Sequence, residues 1–215
     1  MYLQITDKCN MTCDHCAFSC TRKGSFMKEE VFKAGLALAN DYDFTIVLGG
    51  GEPTLHPQFE TFLIHAIAAG GGRDRRKPFI VTNGSIKKRA LLIHQLAVAN
   101  IIKGKLSYDQ FHNLKMVDEE VIEAFRESDD LWGPPYGIDE PVRATSQLFK
   151  RGRATRFEEA KDECICPEWM VKPNGDIYQC ACPDAPKIGD VWNGVDSPCC
   201  ECWHSEEYKE ALTNV

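Results

Sequence analysis

In its first 126 residues the chain alternates short apolar runs with longer segments of helical periodicity. The pattern predicts strands at residues 2–6, 44–48 and 79–81 and one ending at 105–107, with helices at 27–40, 57–70, 86–99 and 117–126. Parallel neighbours need such crossover helices, and strands buried on both faces are apolar throughout. Eight β/α units typically need about 250 residues. The sequence therefore predicts an α/β fold, a partial (β/α) barrel of about five to six parallel strands over residues 1–155.

The unusual residues of this segment follow the predicted strands. A cysteine-bearing loop follows the first strand, a glycine-rich turn the second, and Asn83 and Asp109 follow the third and fourth. In parallel α/β folds, ligands bind at the carboxyl ends of the strands. The sequence therefore predicts one functional site at that edge.

The composition excludes several classes of protein. A net charge of −7 disfavours nucleic acid as a partner, because phosphate binding needs a basic face. The one basic run, residues 73–77, is predicted to be a solvated loop on the rim opposite the site. No apolar stretch approaches the about 20 residues that span a membrane, and the first residues lack the pattern of a signal peptide. We therefore expect a cytoplasmic protein that makes no membrane contact.

Cysteine is unusually abundant and unevenly placed. The 11 cysteines fall into an early and a late group, at positions 9, 13, 16 and 20 and at positions 164, 166, 180, 182, 199, 200 and 202. In a reducing compartment, metal or cluster ligation explains such a set better than disulfides do. Two separate metal regions are predicted.

The early group has the spacing C-x3-C-x2-C, formed by Cys9, Cys13 and Cys16. Three thiolates on one short loop can hold three irons of a [4Fe–4S] cluster and leave the fourth iron open to a ligand. Zinc is the alternative. A tetrahedral zinc site needs a fourth ligand, which His15 or Cys20 could supply.

The cysteine motif after one strand and Gly-Gly-Glu-Pro after the next together resemble the radical S-adenosylmethionine (SAM) superfamily. The resemblance implies that the iron without a cysteine ligand binds SAM, and that Gly50, Gly51, Glu52 and Pro53 form the turn that binds its amino group. Glycines permit close backbone approach, and a carboxylate suits an ammonium. His15 stands where the family usually has an aromatic residue near the adenine.

The same resemblance suggests roles for residues further along the chain. Asn83, Ser107 and Asp109 stand where ribose and carboxylate contacts usually arise, and His112 could face the substrate, so Asp109 and His112 are the catalytic candidates. Arg153 lies in a Gly-Arg-Ala element like those near the end of related barrels. Turn and capping roles, or a surface position for the arginine, are the alternatives.

The late cysteines lie in a predicted extension, residues 156–215, made of a β-hairpin with an Asn174-Gly175 turn and a helix. Their pattern resembles the SPASM/twitch region of radical SAM enzymes, in its shorter form. The resemblance implies an auxiliary [4Fe–4S] cluster, or in the alternative a zinc ribbon. The proposed ligands are Cys164, Cys180, Cys199 and Cys202, and the cysteines that could replace three of them are Cys166, Cys182 and Cys200.

The resemblance predicts an enzyme that reductively cleaves SAM to a 5′-deoxyadenosyl radical, which abstracts hydrogen from a substrate. The auxiliary cluster would assist a net oxidation or cross-link of a peptide or small molecule, and a donor such as flavodoxin or ferredoxin would supply electrons. A non-catalytic iron–sulfur or zinc protein is the alternative, although such a protein has no need of the Gly-Gly-Glu-Pro turn.

Overall fold

The computed structural model describes residues 1–71, 76–128, 142–143, 148–161, 168–182 and 185–196. The helices are α1 (Glu29–Asp41), α2 (Phe59–Gly70), α3 (Lys87–Val98) and α4 (Glu119–Arg126). The strands are β1 (Tyr2–Thr6), β2 (Val47–Gly50), β3 (Phe79–Thr82), β4 (Lys103–Ser107), β5 (Val142–Arg143), β6 (Met170–Val171), β7 (Asp176–Tyr178), β8 (Lys187–Asp190) and β9 (Gly194–Val195).

The described strands form one sheet in the order β5-β4-β3-β2-β1-β6-β7-β8-β9. The six strands from β5 to β6 run parallel, and β7, β8 and β9 continue the sheet antiparallel. This confirms the predicted α/β architecture, a partial barrel with parallel strands and covering helices.

The two faces of the parallel sheet differ in polarity. One face packs against the helices and is largely apolar, with Leu3, Leu48, Ile80 and Leu106 each 0% exposed. The paired positions on the other face form a transverse row of Gln4, Gly49, Val81 and Lys105. Alternate residues of a strand point to opposite faces, so the inner face carries the polar groups of otherwise buried strands.

Local sequence explains where the helices begin. Glu29 and Glu30 occupy the first turn of α1, where carboxylates favour the helix dipole. The Asp118 side chain caps α4 by accepting a hydrogen bond from the backbone N–H of Glu120. The predicted helix starting at residue 117 therefore begins at Glu119.

Two sequence predictions need correction. The second strand was expected at residues 44–48 but runs from Val47 to Gly50, because its two glycines pair with β1. The predicted solvated loop includes Arg76, which is only 5% exposed and donates to Asn40 Oδ1 at 2.7 Å. Arg76 precedes β3 and contacts the end of α1. It therefore lies on the rim opposite the carboxyl ends of the strands, as predicted for the basic run.

The expected β-hairpin is present as β6 and β7, with Lys172–Gly175 forming the turn. β6 also pairs with β1, so the sheet is continuous across residue 155, where the sequence suggested a boundary. The two-part division stays a prediction. Among the described helices, none is long and apolar enough to cross a membrane.

Candidate functional site

The cysteine loop, residues 7–26, leaves the carboxyl end of β1 and returns to it. Thr6 forms a β-bridge with Phe26, and the Met27 N–H donates to the Ile5 carbonyl at 2.8 Å. Further into the loop, the Cys9 N–H donates to the Thr21 carbonyl at 2.7 Å. The two ends of the loop are therefore joined to each other and to β1.

Cys9, Cys13 and Cys16 are free thiols, and the loop brings them close enough to interact electrostatically. Burial raises the pKa of Cys9 to about 11, and burial followed by the nearby Cys9 and Cys16 raises that of Cys13 to about 11. Cys9 Sγ accepts a hydrogen bond from the Met11 N–H at 3.4 Å. Crowded thiols of this kind can ionise together when a metal cation is bound between them.

Cys20 lies beside this group, with its thiol next to that of Cys16. The interaction between the two thiols lowers the pKa of Cys16 and, together with burial, raises that of Cys20. Cys20 is 4% exposed. The sequence offered Cys20 as a possible fourth ligand of a zinc ion, and the structure buries it beside Cys16.

This donor set fits the [4Fe–4S] cluster implied by the sequence. Three thiols converge from one loop, and cluster sulfurs are stabilised by backbone N–H groups such as that of Met11. Cys9, Cys13 and Cys16 are thus the residues that would hold the cluster.

The Gly-rich turn at the end of β2 packs directly on this loop. The Gly51 and Glu52 N–H groups donate to the Thr6 and Lys8 carbonyls, each at 2.9 Å. A Cβ on Gly51 would overlap the Lys8 carbonyl oxygen and lie 2.9 Å from Cys9 Cβ. Glycine is therefore required here for contact with the cysteine loop, besides any approach to a ligand.

Glu52 is 1% exposed and links β2 to β3. Its Oε1 accepts from the Thr54 N–H at 3.1 Å, the Thr54 hydroxyl at 2.5 Å and the Thr82 hydroxyl at 2.8 Å, and its Oε2 accepts from the Asn83 N–H at 2.7 Å. Burial raises the pKa of Glu52. The four hydrogen bonds act in the opposite direction and lower it, but burial is the larger effect. Pro53, also buried, begins the short 3₁₀ helix that follows. The carboxylate predicted to bind the SAM amino group is thus engaged by protein donors.

Asn83 connects the turn after β3 to the cysteine loop. Its Nδ2 donates to Asn10 Oδ1 at 3.0 Å and lies 3.8 Å from Cys9 Sγ, while its Oδ1 accepts from the Ser85 hydroxyl at 2.6 Å. Asn10 Nδ2 in turn donates to Ser85 Oγ at 2.8 Å. The structure places Asn83 in the predicted site, and it adds Asn10 and Ser85, which no motif indicated.

His15, Asp109 and His112 form a second group above the ends of the strands. His112 Nδ1 and Asp109 Oδ1 are 2.7 Å apart, and the His15 ring lies 5.0 Å from the His112 ring and 4.8 Å from that of Phe111. Their ligand atoms lie within 4.8 Å of one another, close enough to suit a metal ion. The direct Asp109–His112 hydrogen bond and the ring contacts instead favour an aromatic and polar wall. Ser107, the half-buried last residue of β4, lies just before this group.

Arg153 contacts the cysteine loop through three of its nitrogen atoms. Its Nε donates to the Cys13 carbonyl at 2.9 Å, its Nη1 to the Cys20 carbonyl at 2.9 Å, and its backbone N–H to the Cys16 carbonyl at 3.0 Å. The predicted site residue therefore lies at the loop and makes its hydrogen bonds to the loop's backbone.

The late cysteines are only partly described. Cys180 and Cys182 are buried with Ala185 in a small apolar cluster separate from the main core, and Cys180 Sγ accepts from the Cys182 N–H at 3.4 Å. The other proposed or substitute ligands lie outside the described residues, at Cys164, Cys166, Cys199, Cys200 and Cys202.

Sequence reasoning missed the polar groups on the inner face of the sheet. Lys105 and Gln4 are 4% and 5% exposed and share the transverse row with Gly49. A signal was present, because Lys103, Lys105 and Ser107 alternate along a strand whose intervening residues are Gly104 and Leu106. Such alternation places the polar residues on one face.

Two cavities adjoin the cysteine loop. A small one of about 170 Å³ is lined by Asn10, Cys13 and Phe111. A larger open groove of about 710 Å³ extends from Phe18 of the loop past Gln4 to Cys182 of the C-terminal hairpin region. A groove of this volume can hold a small-molecule ligand.

A family model described as the radical SAM superfamily matches residues 3–152. This match includes the cysteine loop, the glycine-rich turn and the first five strands. The chain belongs to the radical SAM superfamily, and membership implies SAM and a [4Fe–4S] cluster as cofactors. No curated protein matches the chain.

Solved structures support the fold. A structure of BtrN in complex with AdoMet and 2-DOIA superposes with a TM-score of 0.57 at 18% identity, covering 99% of this chain and 84% of BtrN. A structure of anSMEcpe with bound AdoMet and Cp18Cys peptide superposes with a TM-score of 0.55 at 15% identity, covering 97% of this chain and 81% of anSMEcpe. At these identities the likeness shows a shared fold.

Proposed function

We propose that the chain is a SAM-cleaving enzyme that abstracts hydrogen from a peptide or small molecule and completes a net oxidation or cross-link. Convergence of Cys9, Cys13 and Cys16 beside the Gly50-Gly51 turn is the observation that carries this proposal. A reduced cluster bound there would supply the electron for cleavage of SAM into methionine and a 5′-deoxyadenosyl radical. The protein binds, orients and excludes water.

The residues around the loop suggest how SAM is held. The Gly50–Pro53 turn would receive the methionyl amino group, and Asn83 and Ser107 would contact the polar groups of the nucleoside or carboxylate. The His15 ring, which lies 4.8 Å from the Phe111 ring, offers a flat surface for the adenine. Asp109 and His112 stand next to it as the candidates for moving a substrate proton.

The large groove is the place where we propose that the substrate binds. It connects Phe18 of the cysteine loop with Cys182 of the C-terminal hairpin region, so a molecule within it would lie between the two proposed cluster regions. An auxiliary [4Fe–4S] cluster would be held by Cys164, Cys180, Cys199 and Cys202, and its chemistry would be to accept one electron from the substrate radical. The cysteine-to-cysteine N–H···S contact at Cys180 favours ligation there.

Two solved structures with this fold contain ligands of different classes. The BtrN structure contains 2-DOIA and the anSMEcpe structure contains a peptide. We propose a substrate from one of these two classes, and electron supply by a flavodoxin or ferredoxin of the cytoplasm.

Anaerobic incubation of reconstituted, reduced protein with SAM tests the proposal. We expect 5′-deoxyadenosine and methionine in equal amounts, and neither from a protein in which Cys9, Cys13 and Cys16 are all alanine. A reconstituted protein with about four irons at this site that yields no 5′-deoxyadenosine, with or without peptide and small-molecule candidates, would refute the enzyme assignment and favour a non-catalytic iron–sulfur protein.

A further inference from the structure

The loop between Cys9 and Thr21 has few backbone hydrogen bonds of its own. Within it the Cys16 N–H donates to the Cys13 carbonyl and the Ser19 N–H to the Cys16 carbonyl, both at 3.2 Å. Most of its conformation must therefore come from contacts with other parts of the chain. On one side Gly51 packs against Cys9 and Asn83 donates to Asn10 Oδ1, and on the other side residues 152–153 supply the contacts.

The contact from residues 152–153 is close and directional. Gly152 has φ +53°, and a Cβ there would overlap the Ala17 carbonyl oxygen. The next residue, Arg153, donates to the carbonyls of three cysteines, Cys13, Cys16 and Cys20. Two of these bonds use the guanidinium, whose planar fork can bridge two acceptors that are seven residues apart in sequence.

We propose that Arg153 is a positioning residue that holds the cysteine loop in its ligating conformation by bridging the Cys13 and Cys20 carbonyls. This rests on the proposed function, because it takes Cys9, Cys13 and Cys16 as the cluster ligands. Within the described residues the Arg153 hydrogen bonds all go to carbonyl oxygens, so the thiols stay available for iron. Groups that orient ligands in this way typically change metal affinity about 10–100-fold when removed.

The alternative is that Arg153 binds SAM or substrate directly and touches the loop incidentally. The two roles differ in what the cluster does before SAM arrives. A positioning role predicts faster iron loss from the SAM-free protein, whereas a purely ligand-binding role predicts a raised KM for SAM with an unchanged cluster.

The experiment measures release of iron to a chelator from anaerobically reconstituted, SAM-free protein. Iron that remains in a variant lacking all three thiols, Cys9, Cys13 and Cys16, is subtracted as coming from other sites. We expect Arg153→Met to release the remaining iron about 10–100-fold faster than the wild type. Arg153→Lys keeps the charge but reaches one carbonyl, so an intermediate rate is expected.

Arg156→Met is the matched control. Arg156 lies in the same short helix and pairs with Asp14 of the loop, but its side chain is 52% exposed. Exposed ion pairs contribute little, so this variant should stay within about threefold of the wild type. Urea unfolding of each apo variant shows whether it folds, and if Arg153→Met does not, the Arg153→Lys rate decides.

The outcomes separate the two proposals. If removing all three thiols leaves the iron content unchanged, the cluster assignment itself is wrong. If that variant loses about four irons while Arg153→Met and Arg153→Lys release iron at the wild-type rate, the cluster assignment stands and the positioning role is refuted.

Discussion

Glu52→Gln distinguishes a structural role of Glu52 from direct binding of SAM. In the structural role, which we call the bracing role, the hydrogen bonds of Glu52 hold β2 and β3 together. The wild-type Oε1 accepts three hydrogen bonds and Oε2 accepts one from the Asn83 N–H at 2.7 Å. A glutamine that keeps its oxygen at the three-donor position turns its NH₂ group toward the Asn83 N–H. One hydrogen bond is then lost and a buried donor is left without an acceptor.

An unsatisfied buried donor costs about 1–3 kcal/mol. For a chain of this length each kcal/mol corresponds to about 2–4 °C, so we expect the Tm of the apo protein to fall by about 2–12 °C. Urea unfolding followed by circular dichroism measures the same loss, with an unchanged m-value. Glu60→Gln is the control, because Glu60 forms a partly exposed ion pair with Arg89 at 2.8 Å and should lose at most about 1 kcal/mol.

The pH dependence gives a second test of the same residue. Burial raises the pKa of Glu52 above its ordinary value of 4.5, so the folded protein binds this proton more tightly than the unfolded one. Wild-type stability should therefore fall as the pH rises above about 4.5, and the glutamine variant lacks this loss. The difference in free energy of unfolding between the wild type and Glu52→Gln should therefore become smaller as the pH rises.

If Glu52→Gln unfolds at the wild-type urea concentration and only its SAM affinity falls, the bracing role is refuted.

Three further substitutions test other parts of the site. Gly51→Ala places a Cβ against the Lys8 carbonyl, so we expect about 1–3 kcal/mol of destabilisation in urea unfolding and poorer cluster retention by iron analysis; wild-type values for both would contradict the close contact. Cys20→Ala should retain wild-type iron at the early site, because three thiols suffice, and a loss of about four irons would identify Cys20 as a ligand. His56 is buried and neutral, with Nε2 bonded to the Met27 carbonyl at 2.9 Å and Nδ1 accepting from the Gln58 N–H at 3.0 Å. Burial lowers its pKa below 6.5, so apo stability should fall below pH 6.5 by up to about 1.4 kcal/mol per pH unit; a His56→Gln variant with an unchanged acid profile would refute this.

Much of the parallel sheet could be predicted because its strands are buried on the helix-facing side. Leu48 and Ile80 lie in continuous apolar runs, and a continuous apolar run of this length is typical of a buried parallel strand. The boundary of β2 could not be predicted in the same way. Gly49 reads as a strand breaker by propensity, yet it pairs with Gln4, and a side chain at Gly49 would overlap the Tyr2 ring. Tertiary contact here overrides local preference.

Long-range polar contacts were the other limit of the sequence. Arg76 looked like one member of a solvated basic run, but its partner Asn40 lies 36 residues earlier in the chain. The Gly-Arg-Ala element indicated Arg153, which the structure places at the cysteine loop. Its acceptors are backbone carbonyls, which every residue type carries, so no sequence pattern could identify them.

The contacts to the cysteine loop share a property that explains why its motif is so short. The Gly51 and Glu52 N–H groups bond to the Thr6 and Lys8 carbonyls, and Arg153 bonds to the Cys13, Cys16 and Cys20 carbonyls. The surrounding protein thus holds the loop mainly through its backbone oxygens. Because every residue type carries a backbone carbonyl, these contacts do not depend on which residues stand at the acceptor positions. The spacing of the cysteines and the absence of a side chain at Gly51 are then the features that the sequence must specify, and both were readable from it.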